Sequence, residues 1–212
     1  MADNVEPSLV KWLEQQLPRT AKKVSLKKLD TAPLHISDKK IPGFTPRITH
    51  SVYSDEDKTV PRICCSVDLE KCLRGVRRYF VPSPYEDLRH RYYLHAFDER
   101  DVVQPSVELS SEPFRANEVW IVPHRLSNWE IKPTVIGELR LVRLADNGYK
   151  HTLAVALHED VRLNSNQLLK AGKFYEITVT ISEREPLIVV SDAVEISRGI
   201  FDAALNEYTV TP

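Results

Sequence analysis

The stretch VPRICCSVDLEKCL, Val60 to Leu73, holds all three cysteines of the chain, two of them adjacent. Its first part, RICCS, reads as a short strand of the buried type. From Val67 the pattern changes, and VDLEKCLRGVRRYF reads as a helix. Asp68 and Glu70 fall early in it and Arg74, Arg77 and Arg78 late, an order that suits the helix dipole. Ser66 stands at the junction, where its hydroxyl would cap the helix by accepting backbone N–H groups. Neighbours in a strand point to opposite faces, so Cys64 and Cys65 would not share a metal ion. Cys72 lies inside the helix. The histidines (His35, His50, His90, His95, His124, His151 and His158) follow no ligand spacing. No metal is therefore expected, and the thiols read as buried and inert.

Composition narrows the field further. The chain has 212 residues, 28% charged and 42% hydrophobic, and reads as globular. The N-terminus MADNVEPSLV lacks a basic segment followed by an apolar one, no run is long enough to span a bilayer, and three cysteines do not make a disulfide framework. A cytoplasmic location follows as the expectation, in the host cytoplasm if the chain is phage-encoded. The six glycines are dispersed, so neither a dinucleotide-binding G-x-G-x-x-G turn nor a P-loop is present. Net charge is −1 but unevenly spread: residues 1–100 carry 18 Lys and Arg against 14 Asp and Glu, the remainder 11 against 16. The basic excess is small for a nucleic-acid binder, which leaves that partner class weak.

Along the chain, EPSLVKWLEQQL predicts a docking helix capped by Ser8. APLHIS (32–37) is a strand, followed by a long loop over 38–61 punctuated by Pro42, Gly43, Pro46 and Pro61. RYYLHAF (91–97) and EVWIV (118–122) are strands. The clearest local signal is Asp146-Asn147-Gly148 between ELRLVRL and YKHTLAVAL, an Asn-Gly hairpin. KFYEITVTISE and PLIVVSDAVEIS add further strands, and FDAALNEYTVTP ends the chain as a short helix or an extension. The class is α+β, β-rich with few helices. The expected organisation is a first region over 1–132, including the N-terminal helix, and a β-rich hairpin or meander over 133–212, with Val135–Leu144 able to complete the first sheet.

LHIS, PRICCS and NEVWIVP supply, in order, a histidine, a serine at a strand end and a glutamate at a strand start. This arrangement resembles the ADP-ribosyltransferase family. It resembles more closely a set of uncharacterised phage and bacterial proteins with an L-H-I-S … P-R-x-C-x-S … E-V-W layout. The matched segments span about half the chain, 32–142. The first resemblance implies a split-sheet fold that binds NAD. Glu118 would then be the catalytic glutamate, with His35 and Ser66 beside it, and His35, Arg47, Arg62, Ser66 and Tyr92 would hold the cofactor. A glutamate suits that role because cleavage of a nicotinamide–ribose bond develops positive charge on the sugar. Tyr79 is an alternative to Tyr92 for stacking on nicotinamide. Two residues upstream of Glu118, where the family often carries Glu or Gln, this chain has Ala116, which argues against arginine as the acceptor. Each residue also has a structural reading: Ser66 as cap, His35 as a hydrogen-bonded core histidine, Glu118 as a strand-end acid. The alternative function is a phage-type binding or inhibitor protein that grips a host protein through its acidic second half, with Glu183, Glu185 and Asp192 as candidate contacts.

Overall fold

The computed structural model describes residues 5–16, 24–48, 57–76, 91–106, 109, 117–125, 129–144, 150–181, 188–204 and 209–210. Helix α1 (Pro7–Gln16) is followed by β1 (Val24–Lys28), β2 (Leu34–Ser37) and β3 (Ile63–Ser66). Next come α2 (Leu69–Gly75), β4 (Arg91–Ala96), β5 (Asp101–Pro105) and β6 (Glu118–Ile121). The remainder is β7 (Thr134–Leu144), β8 (Lys150–Leu157), β9 (Val161–Arg162), β10 (Leu168–Leu169), β11 (Phe174–Ile181), β12 (Ile188–Ile196), α3 (Arg198–Ala203) and β13 (Thr209–Val210). The protein is thus β-rich, with three helices among the described residues, in line with the class read from the sequence.

Two compact units share the chain. Unit 1 takes 1–35, 41–67 and 96–134; unit 2 takes 36–40, 68–95 and 135–212. The last passage between them is at Thr134/Val135, and 68–95 joins unit 2 much earlier in the chain.

In unit 1 the strands run in the order β1-β5-β6-β3, all antiparallel, with Leu34 of β2 opposite Ser66 of β3. The decisive register is Ile63↔Ile121, Cys64↔Trp120, Cys65↔Val119 and Ser66↔Glu118. Alternation then sorts the side chains. Ile63, Cys65, Val119 and Ile121 cluster with Phe97 and Val102 on one face. Trp120 lies on the other, with Val103, Val122 and Cys64, beneath Leu9 and Leu13 of α1. Cys64 and Cys65 do point to opposite faces. β5 was not foreseen: DVVQP has only a pair of valines to mark it. It forms because β1 and β6 hydrogen-bond it from either side.

In unit 2, β7, β8, β11 and β12 are successive antiparallel neighbours, β4 lies beside β7, and β13 adds a short parallel pairing to β7. The expected hairpin between ELRLVRL and YKHTLAVAL is present as β7–β8, its turn residues lying outside the described ones. Leu139, Leu141, Leu153, Val155, Ile177 and Val179 form buried rows on one face. On the opposite face Ala154 and Ala156 are small enough for α3 to lie close, and Phe201 and Ala204 pack there with Phe174 and Ile196. Arg140 fastens α3: its guanidinium stacks 3.8 Å from the Phe201 ring centroid and donates to the Phe201 carbonyl at 2.8 Å. Gly137 of β7 has no room for a side chain, since a Cβ there would meet the Ala156 carbonyl oxygen at 2.9 Å.

The junction after β3 differs from expectation in one respect. Asp68, not Ser66, caps α2; its Oδ1 accepts from the Lys71 N–H at 2.7 Å. Ser66 belongs to the strand and is buried. Ser8 likewise lies inside α1, where it donates to Glu6 at 2.8 Å. Asp68→Ala is expected to cost about 1 kcal/mol in a urea titration and Asp68→Asn much less, because Asn also caps.

Candidate functional site

Ser66 and Glu118 are brought together. They face each other across β3 and β6, so their side chains stand side by side on the α1-facing side of the unit 1 sheet. Both are buried, at 5% and 7% exposure. Two residues along each strand stand Cys64 and Trp120, and Arg62 completes the row. The Arg62 guanidinium sits 4.3 Å from the Trp120 ring centroid. It also donates to the carbonyls of Asp57 (2.9 Å) and Val60 (3.1 Å) and lies 3.7 Å from the Asp57 carboxylate. Burial pushes the Asp57 carboxyl up, but the N–H groups of Val60 and Thr59, the Thr59 hydroxyl and the charge of Arg62 together outweigh it and keep that carboxyl below the usual range. Arg62 is thus a buried cation satisfied by carbonyls, an aromatic face and a carboxylate.

His35 is not brought to the same place. Leu34 opposes Ser66, so the next residue points to the other face of the sheet. There the imidazole stands edge-on to Phe44 at 5.1 Å, and Phe44 is edge-on to Phe97 at 5.2 Å. Its Nδ1–H donates to the Cys64 carbonyl at 3.0 Å. Burial, aided by the charge of Arg47, pushes the His35 pKa down against that hydrogen bond. Arg47 has an exposed side chain, and its backbone exchanges hydrogen bonds with Arg62 at 3.3 and 2.9 Å. Tyr92 is buried in β4 of unit 2. Tyr79, Glu183 and Glu185 lie outside the described residues, as does the side chain of Asp192.

The cysteines are free thiols. Burial raises Cys64 well above its ordinary value; the negative charge of Glu118 adds to this and Arg62 opposes it. Burial raises Cys72 as well. Neither is an activated nucleophile. Among the described residues no group of three or more His, Cys, Asp or Glu is arranged to hold a metal ion, and no helix is long and apolar enough to cross a membrane.

Asn117 was missed in the sequence and sets where Glu118 begins β6. Its φ of 46° is in the left-handed region, and its Oδ1 accepts from the Gln104 amide at 3.1 Å. Asn tolerates this conformation better than other non-glycine residues, and its position just before an apolar strand was the available signal.

No protein-family model, no curated protein and no solved structure matches this chain.

Two measurements follow. A histidine whose folded pKa is depressed stabilises the protein fully above its unfolded value of 6.5 and loses that contribution as pH falls through the folded value. Stability should therefore decline below pH 6.5, and His35→Gln, which keeps a donor for the Cys64 carbonyl, should flatten that slope. Asn117→Val should cost roughly 1–2 kcal/mol, while Asn117→Gly should fold as the parent does.

Proposed function

We propose that this protein is a binding protein that engages a protein partner through unit 2, the second of the two functions expected from the sequence. The observation that carries the reading is the apolar row that runs out to the surface beside α3. Ile196 belongs to the cluster under α3, Val194 continues its row along β12 at 59% exposure, and Ile200 on α3 is 53% exposed. A row continuous with the core and left open at one end is the kind of feature that marks an interaction surface. β12 ends the strand order of its sheet, so among the described residues its far side has no strand neighbour. Among the described residues, part of the acidic character expected for this half is taken up in ion pairs. Glu195 is paired with Lys173, Asp202 with Arg198 and Asp160 with Lys170. Charge on this surface is therefore suited to setting orientation and encounter rate.

The NAD-dependent ADP-ribosyltransferase reading has one observation in its favour, the adjacency of Ser66 and Glu118. Against it stand the burial of both and the placement of His35 across the sheet. Two assays separate the readings. Immobilised protein should retain a stoichiometric partner from a bacterial host lysate, and Val194→Asp should lose it with unchanged urea stability. Retention by the variant equal to the parent, or no stoichiometric partner, overturns the binding proposal. Incubation with labelled NAD⁺ and the same lysate should transfer no label. Transfer or nicotinamide release that disappears in Glu118→Gln would establish the enzyme instead.

A further inference from the structure

Helix α1 is held to unit 1 in two different ways. Leu9 and Leu13 are buried against Val60, Val103, Leu109, Trp120 and Val122. At the helix start, Glu6 gathers a polar cluster. Its Oε2 accepts from Arg125 Nη2 at 2.6 Å and Nε at 3.0 Å, and lies 3.4 Å from His124 Nε2. Its Oε1 accepts from the Ser8 hydroxyl, and its backbone N–H donates to Asp101. Arg125 also reaches Glu99 at 3.5 Å, and Glu99 accepts from the Asp101 N–H at 3.2 Å. His124 is fully buried; its Nδ1–H donates to the Val122 carbonyl at 2.8 Å and its ring is edge-on to Trp129 at 5.0 Å. The hydrogen bond from the Ser8 hydroxyl first, and after it the hydrogen bonds and charge of Arg125, keep the Glu6 carboxyl below its usual range, although burial opposes them.

The balance between these two attachments is informative. A helix of ten residues is marginal in water by itself, so α1 is helical because it is docked. Only Leu9 and Leu13 of its side chains are buried, with Trp12 partly buried against the same cluster. The sheet beneath it is different, with Trp120, Val103 and Val122 at 0–1% exposure and strands paired on both sides. An element with few buried anchors on a well-paired sheet opens locally at far lower free energy than the sheet itself.

We propose that α1 is a latched strap that opens from the unit 1 sheet as a unit, with the Glu6–Arg125–His124 cluster as the latch. Opening bares the Trp120 strip while the strands stay paired. The latch is partly exposed, 32% at Glu6 and 48% at Arg125, so salt weakens it. All three tryptophans of the chain report on the event: Trp12 lies on the strap, Trp120 under it and Trp129 against the latch histidine.

Native-state amide hydrogen exchange on the full chain tests this. In Glu6→Gln and Arg125→Met the amides of residues 9–16 should exchange about three- to tenfold faster than in the parent, those of β5 and β6 unchanged. Tryptophan emission should shift to the red. Raising salt on the parent from about 0.02 to about 0.5 M should accelerate the same amides, which keeps the test decisive should a variant fold poorly. Exchange of 9–16 at the rate of β5 and β6 means that α1 opens only by unfolding and overturns the strap. Local opening that is indifferent to both variants and to salt overturns the latch.

Discussion

The four-residue register between β3 and β6 is the constraint on which unit 1 depends. It pairs Ile63 with Ile121, Cys64 with Trp120, Cys65 with Val119 and Ser66 with Glu118, and so assigns every side chain in both strands to a face. A slip of β3 by one residue would send Arg62 into the cluster of Phe97, Val102 and Val119, and bring Ile63 and Cys65 out under α1. The cost of an unpaired charge in that apolar cluster exceeds the strength of any single contact in the sheet, which is why the register is firm. Both faces are covered, so the polar residues between them must be satisfied internally. Arg62 shows how: two carbonyls, the Asp57 carboxylate and the Trp120 ring all face its guanidinium.

The same register governs the functional reading. It places Ser66 beside Glu118 and, through the Leu34↔Ser66 pairing, sends His35 to the opposite face. Three residues in the right order along a chain need not share a cleft, because strand pairing decides which of them can meet. The cysteines, which stand out in the sequence, are the least reactive part of the arrangement. Burial beside Glu118 suppresses the Cys64 thiolate, and Cys72 is buried on α2. In unit 2, by contrast, the feature that points outward is apolar: the row from Ile196 to Val194 beside α3.

Much of the secondary structure was legible. LHIS, RICCS, RYYLHAF and EVWI carry enough apolar or β-branched residues to read as strands, and the Asn-Gly signal between β7 and β8 predicted their antiparallel pairing. Where the reading failed, tertiary context competed with local pattern. DVVQP becomes β5 because two neighbouring strands hydrogen-bond it. The cap of α2 moved from Ser66 to Asp68 because Ser66 was already committed to the β3 ladder. The start of α1 moved because Pro7 is at home in a first helical turn, which leaves Glu6 just outside the helix and turned toward Arg125.

By itself, then, the sequence determined most of the longer strands and the helical segments, that Cys64 and Cys65 diverge, and that no Rossmann or P-loop glycine motif is present. Periodicity and turn chemistry are local properties, and one chain carries them in full. The tertiary structure alone decided that Ser66 meets Glu118, that His35 faces Phe44, that Arg62 lies on Trp120 and that Glu6 reaches Arg125 across 119 positions of sequence. The pleat dictates that side chains alternate, but which face each set takes depends on the partner strand and its offset, and those are fixed only when distant segments pack.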